Sequence, residues 1–209
     1  MSQSAISSIS KRTARFAIAV AFTALLWAQA GLAQKREAVL EFAPARGSVR
    51  FTLDASFHVV HGTFDIEHGA IRFDPASRAI SGEIVVNAAS GRSGNDGRDR
   101  RMHREILESA RYPEIAFRPD RVEGTVEASG ASTVQVHGVF RIHGDDHELT
   151  IPVRVEMADD HWTATSHFVV PYVQWGIKNP SNLFLHVSPS VEVDVQASGP
   201  NPWAVSGSR

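Results

Sequence analysis

From Ser48 onward period-two alternation of apolar residues dominates, and it constrains the fold more than any other feature of the chain. Val49, Phe51 and Leu53 share one face, as do Gly62, Phe64 and Ile66, then Ile71 and Phe73, then Ile80, Gly82, Ile84 and Val86. Most of these residues are β-branched or aromatic. A period of two lines up side chains on one face of a strand, whereas a helix needs a period of about 3.6. Asp74-Pro75 and Gly69 read as turns between the strands. Further strands are expected around Ile115 and Phe117 and over 134–142, 149–157, 162–170 and 187–197, eight to nine in all.

Parallel strands would need helical crossovers, and one segment alone reads as a helix. It covers 99–110, where Met102, Ile106 and Leu107 recur at helical spacing, with Asp99 as the expected N-cap and Pro113 just beyond its end. The pattern therefore predicts an all-β fold, an antiparallel barrel or sandwich with short polar turns. Gly62, Gly82 and Gly138 fall on the apolar face. Glycine there either permits tight curvature or leaves room for a ligand, and a small barrel can be filled or hollow.

The first 33 residues read differently. Lys11, Arg12 and Arg15 precede an apolar run of 12 residues, 16–27, and then small residues. This is the layout of a secretory signal peptide, too short for the roughly 20 residues of a membrane span, although an uncleaved anchor is the alternative. Cleavage fits after Ala30 or Ala33, and Ala33 is favoured, leaving 34–209 as a single domain in the periplasm or outside the cell. The chain has no cysteine, which removes disulfides, thiolate metal sites and a lipid-attachment cysteine. The 21 basic and 23 acidic residues include three basic ones in the leader, so the remainder carries a surplus of acid and lacks the basic balance of a nucleic-acid binder.

No nucleophile elbow, zinc-protease motif, Walker loop or dinucleotide fingerprint is present, and no catalytic residues are assigned. Ten histidines raise the question of metal. His58, His61 and His68 form one group, but odd spacing puts His58 and His61 on opposite strand faces. His143, Asp145, Asp146 and His147 form another, around a Gly144-Asp145-Asp146 tight turn whose carboxylates suit turn chemistry. Neither spacing specifies a metal site, and no metal or cofactor is assigned. Arg98, Arg101, His103 and Arg104 make the helical segment cationic; it is either a solvated face or a place for the phosphate head of a lipid.

The stretch RDRRMHREILESARYPEIAF, residues 98–117, resembles the most recognisable segment of the YceI-like family. Ser48-Val49-Arg50-Phe51, His61-Gly62-Thr63-Phe64, the hairpin from Val136 to Gly144, Gln174-Trp175-Gly176-Ile177 and the closing strand 187–197 follow in the family's order, over about 41–198. Departures are a shorter first hairpin, the extra Arg100-Arg101-Met102 between Asp99 and His103, and Gln174-Trp175-Gly176 with a following Lys178-Asn179-Pro180 insert. The resemblance implies an extended antiparallel eight-stranded lipocalin-like β-barrel with one short helix. It also implies a periplasmic, non-enzymatic protein that carries or sequesters a polyisoprenoid or other long amphiphile. The expected lining is Val49, Phe51, Phe64, Phe73, Ile84, Phe117, Val136, Phe140, Ile151, Val153 and Phe168. Two alternatives stay open: a filled barrel serving as an interaction or stress-response module, and a secreted metal-dependent or hydrolytic enzyme on the same scaffold. Association into a homodimer is not decided by the sequence.

Overall fold

A computed structural model describes residues 37–204. Residues 1–33, expected from the sequence to be a signal peptide, lie outside the described residues. Nine strands follow one another: β1 (Ala38–Phe42), β2 (Gly47–Ala55), β3 (His58–Asp74), β4 (Ala79–Arg92), β5 (Glu114–Glu123), β6 (Gly130–Ile142), β7 (Asp145–Met157), β8 (His161–Val170) and β9 (Val191–Pro200). All pairings are antiparallel. The order β3-β2-β9-β8-β7-β6-β5-β4 returns to β3, so the sheet closes on itself. β1 and β2 lie end to end along one edge of β3, separated by a 3-10 turn at Pro44–Arg46. Nine strands thus fill eight positions of a lipocalin-like ring, and closure leaves no long unpaired edge.

Several expectations need correction. Gly69 is no turn: β3 runs unbroken through it, paired with Phe42 on one side and Ile84 on the other. The alternation nevertheless changes phase there, from even positions at Phe64 and Ile66 to odd ones at Ile71 and Phe73. The register shift between Ile66 and His68, where β3 advances two residues against one on β4, provides the reason. An extra residue in one strand flips every later side chain to the other face, so the bulge keeps both halves of β3 pointing inward.

The helix is the second correction. α1 spans Asp96–Arg101 and continues into one π-helical turn, Met102–Ile106, ending before Ala110. Its N-cap is Asn95, whose Oδ1 accepts from the Arg98 N–H at 3.0 Å. The Asp99 carboxylate instead accepts from the Ser93 N–H at 2.9 Å and from the Ser93 hydroxyl, tying the helix back to the loop before it. Leu107 N–H donates to Met102 O at 2.8 Å, and Glu108 at φ 45° turns the chain away.

The tight turn between β6 and β7 consists of His143 and Gly144, both in the left-handed region, so it falls ahead of the expected Gly144-Asp145-Asp146, and Asp145 and Asp146 already belong to β7. Two such residues match the twist of an antiparallel pair. Asp146 departs from the turn-chemistry reading: it sits opposite Arg141 in the ladder and pairs with Arg141 Nε at 2.6 Å and Arg118 at 3.2 Å. The three apolar-face glycines serve close approach. A Cβ on Gly138 or Gly82 would collide with the neighbouring strand's backbone, at Arg118 and Ala70, and one on Gly62 would meet the Phe51 ring.

Candidate functional site

The barrel is hollow. Its interior holds a cavity of about 670 Å³, within the range of small-molecule sites, and the walls are overwhelmingly aliphatic and aromatic. All eleven side chains expected to line it do so: Val49 and Phe51 from β2, Phe64 and Phe73 from β3, Ile84 from β4, Phe117 from β5, Val136 and Phe140 from β6, Ile151 and Val153 from β7, and Phe168 from β8. Ile84, Phe117, Phe140 and Val153 are only half-buried although they point inward, because their uncovered surface faces the cavity. Phe140 stacks edge-on to Phe168 at 6.2 Å and tilts against Trp175 at 5.7 Å.

The two ends differ. At one end Trp162, fully buried, packs against Phe42 at 5.5 Å, with Met157 and Trp203 beside it. These bulky groups form a floor. At the other end the cavity reaches α1 and the β8–β9 connection, where its lining turns polar at His58, Ser93, Asn95, Arg98 and Arg101. The polar lining marks this end as the mouth.

The cationic group of the helix divides at the mouth. Arg98 lines the cavity and is held by Ser93, to which its Nε donates at 2.7 Å (hydroxyl) and its Nη2 at 2.9 Å (carbonyl). Ser93 is held in turn by Asp99. The guanidinium is therefore fixed in place, and its Nη1 donors have no hydrogen-bond partner among the described residues. Arg101 also lines the cavity and pairs with Glu105 at 3.3 Å. His103 does not line it: its Nε2 lies 2.8 Å from the Gly91 carbonyl and its Nδ1 3.1 Å from the Ser109 hydroxyl. A carbonyl only accepts, so Nε2 carries the proton and His103 is a tether for the π-turn. Arg104 is exposed and outside the lining.

The sequence reading missed several contributors. Met102, Ile106 and Leu107, legible in the sequence only as a helical stripe, line the cavity, and Ile177, Pro180, Leu185 and Val187 reach it from the β8–β9 connection. That connection is stitched down by Tyr172, whose hydroxyl donates to Ser188 O at 2.6 Å, and by Asn179, whose Nδ2 donates to Val187 O at 3.2 Å. Lys178 reaches Glu105 at 3.7 Å, so the insert is bound to the helix across the mouth. Burial pushes the Tyr172 phenol up from its ordinary pKa.

The histidines are spread over both faces. His58 lines the cavity, while His61 Nδ1 lies 3.2 Å from Thr52 Oγ1 outside it. His143 packs on Tyr112 at 4.4 Å, and His147 stacks flat on Trp175 at 4.2 Å. Among the described residues no three histidine or carboxylate side chains converge as a metal-ligand set.

A closed antiparallel barrel with an apolar interior, one floored end and one polar mouth defines a lipocalin-like scaffold with a hydrophobic ligand cavity. The YceI-like domain model matches residues 40–198, and the chain belongs to that family. Burkholderia cenocepacia BcnA superposes with a TM-score of 0.63 at 16% identity, over 76% of this chain and 99% of that one. A polyisoprenoid binding domain from Saccharophagus degradans, implicated in plant cell wall breakdown, gives 0.58 at 14% identity over 79% and 99%. The Campylobacter jejuni YceI protein gives 0.56 at 16% identity over 68% and 84%. At such identities the likeness is one of fold. No curated protein matches the sequence. Among the described residues no helix is long and apolar enough to cross a membrane.

Proposed function

We propose that this protein binds a long-chain isoprenoid or fatty amphiphile in its barrel, carrying or sequestering it without chemical change, in the periplasm or outside the cell after loss of residues 1–33. The observation that carries this reading is the 670 Å³ apolar cavity whose polar lining is concentrated at one mouth. A chain and a head group would find different surroundings there. Each methylene removed from water contributes roughly 0.8 kcal/mol, so about ten offer some 8 kcal/mol against the cost of association. The relative named as a polyisoprenoid binding domain supports the ligand class. Arg98 and Arg101 would meet an anionic or carbonyl-bearing head, and the eleven lining side chains of the interior would meet the tail.

Native mass spectrometry of the protein recovered from the exported fraction of producing cells, followed by organic extraction and lipid analysis, tests this. A stoichiometric prenyl or acyl lipid is expected. Protein of bare mass that stays empty after incubation with both lipid classes overturns the reading.

A further inference from the structure

A ligand suited to an apolar cavity is poorly soluble in water, so it must pass between barrel and lipid phase at the mouth. The rim of that mouth carries a large exposed apolar group on each of two neighbouring loops. Phe57, in the β2–β3 turn, is 80% exposed; Leu183 and Phe184, in the β8–β9 connection, are 86% and 81% exposed.

The loops are fastened together. Ala55 bridges Val187, Ser56 N–H donates to His186 O at 2.9 Å, and His186 N–H donates to Ser56 Oγ at 3.0 Å. These bonds hold the turn that carries Phe57 beside the connection that carries Leu183 and Phe184. The tip itself is built: Asn182 Oδ1 accepts from the N–H groups of Phe184 and Leu185, each at 2.9 Å, and Asn182 N–H donates to Leu185 O at 2.9 Å. Hydrogen bonds thus hold two large apolar side chains out in water, where isolated apolar residues are ordinary but a fastened group at a cavity rim is not.

The apolar surface is continuous from tip to interior, because Leu185, Val187 and Ala55 line the cavity immediately behind it. Cations flank the same end. Arg98 and Arg101 stand at the mouth and Arg100 and Arg104 are exposed on the same helical segment, outnumbering its Asp96, Asp99 and Glu105, and Lys178 at the base of the loop shares Glu105 with Arg101. Protruding apolar tips beside cations suit the boundary between lipid head groups and acyl chains. They offer little of the flat surface, roughly 800 Å² per partner, that a stable dimer buries.

We propose that Phe57, Leu183 and Phe184 form a membrane-docking rim that inserts into a bilayer containing anionic lipid and sets the mouth against it. The proposal rests on the carrier reading, since it assigns the route by which that ligand enters and leaves.

The test is flotation of the full protein, as recovered from cells, with vesicles of phosphatidylcholine alone or mixed with phosphatidylglycerol. The wild type is expected to float, more strongly with phosphatidylglycerol. The triple variant F57S/L183S/F184S is expected to lose at least roughly tenfold in partition while keeping its bound lipid in native mass spectra. Should the triple variant not fold, Phe184→Trp carries the test alone, with a blue-shifted emission on vesicle addition and quenching by brominated lipid expected. A wild type that stays with neither vesicle, a triple variant that floats equally well, or an indole in place of Phe184 that brominated lipid leaves unquenched overturns docking. So does a concentration-dependent dimer abolished by the triple variant, which would give the rim to a second copy. Lipid-loaded protein that ignores vesicles sinks docking and leaves the carrier reading intact; empty protein that floats sinks the carrier reading alone.

Discussion

Substituting Ala164 by leucine separates an open cavity from a filled core, because the two arrangements give opposite signs. Ala164 lies on β8 opposite Val155 and Ala197, points inward and lines the cavity. In a close-packed core the added carbons would force neighbours off their rotamers, at a cost of about 1–3 kcal/mol. Here they enter empty space and gain contacts, so stability should stay level or rise. The same carbons take room from a bound chain. Displacing about three methylenes removes roughly 2.4 kcal/mol of transfer energy, which weakens binding roughly 50-fold. Chemical denaturation of delipidated wild type and variant gives the first quantity, and titration with a fluorescent prenyl or acyl probe gives the second. A variant destabilised by about 1 kcal/mol or more that binds the probe like wild type would refute the reasoning.

Other perturbations test the walls. Gly199 faces the Trp162 indole, and a Cβ there would lie 2.8 Å from Nε1, so Gly199→Val should displace the floor and cost about 1–3 kcal/mol in denaturant titrations. Tyr172→Phe leaves the Ser188 carbonyl without its phenol donor and should destabilise by about 1 kcal/mol. Because the folded phenol's pKa is raised, the tyrosine's contribution is full below the ordinary phenol value and fades as pH rises through the raised one; the melting difference between wild type and variant should close in alkali. Arg141 holds the Asp146 carboxyl below the usual carboxylate range. Its contribution is full above the unfolded value and is lost as pH falls through the lowered folded one, so Asp146→Asn should melt below wild type at neutral pH and converge with it in acid.

The lining was readable because period two places side chains without knowledge of partners: Val49, Phe51, Val136 and Phe168 needed only their own neighbours. Gly69 misled for the same reason. Glycine between two apolar runs signals a turn locally, and only the pairing of β3 with β4 reveals a bulge that changes phase within one long strand. The helix start was misread because Asn95 and Asp99 are both good caps, and the choice depended on Ser93 being in reach of Asp99. Of the four cationic candidates, composition could not tell which two face the mouth; that follows from where the π-turn rotates His103 toward Gly91. The Lys178-Asn179-Pro180 insert stood out as a departure, but its role in strapping the mouth rests on contacts with Glu105 and Val187, neither of them within the insert.

Among the described residues, Trp162, Phe42 and Trp203 fill one end of the barrel and leave the polar end as the door. Whatever enters tail-first leaves head-first by the same path, so unloading is the time-reverse of loading. Such a container has no means of rectifying flow. On the proposed carrier reading it would shorten the crossing of an aqueous gap, with the direction of net transfer dictated by the relative chemical potential of the lipid in the two phases. A vectorial pathway built on this barrel therefore needs its driving force elsewhere, in the reaction that makes the cargo or in the one that consumes it.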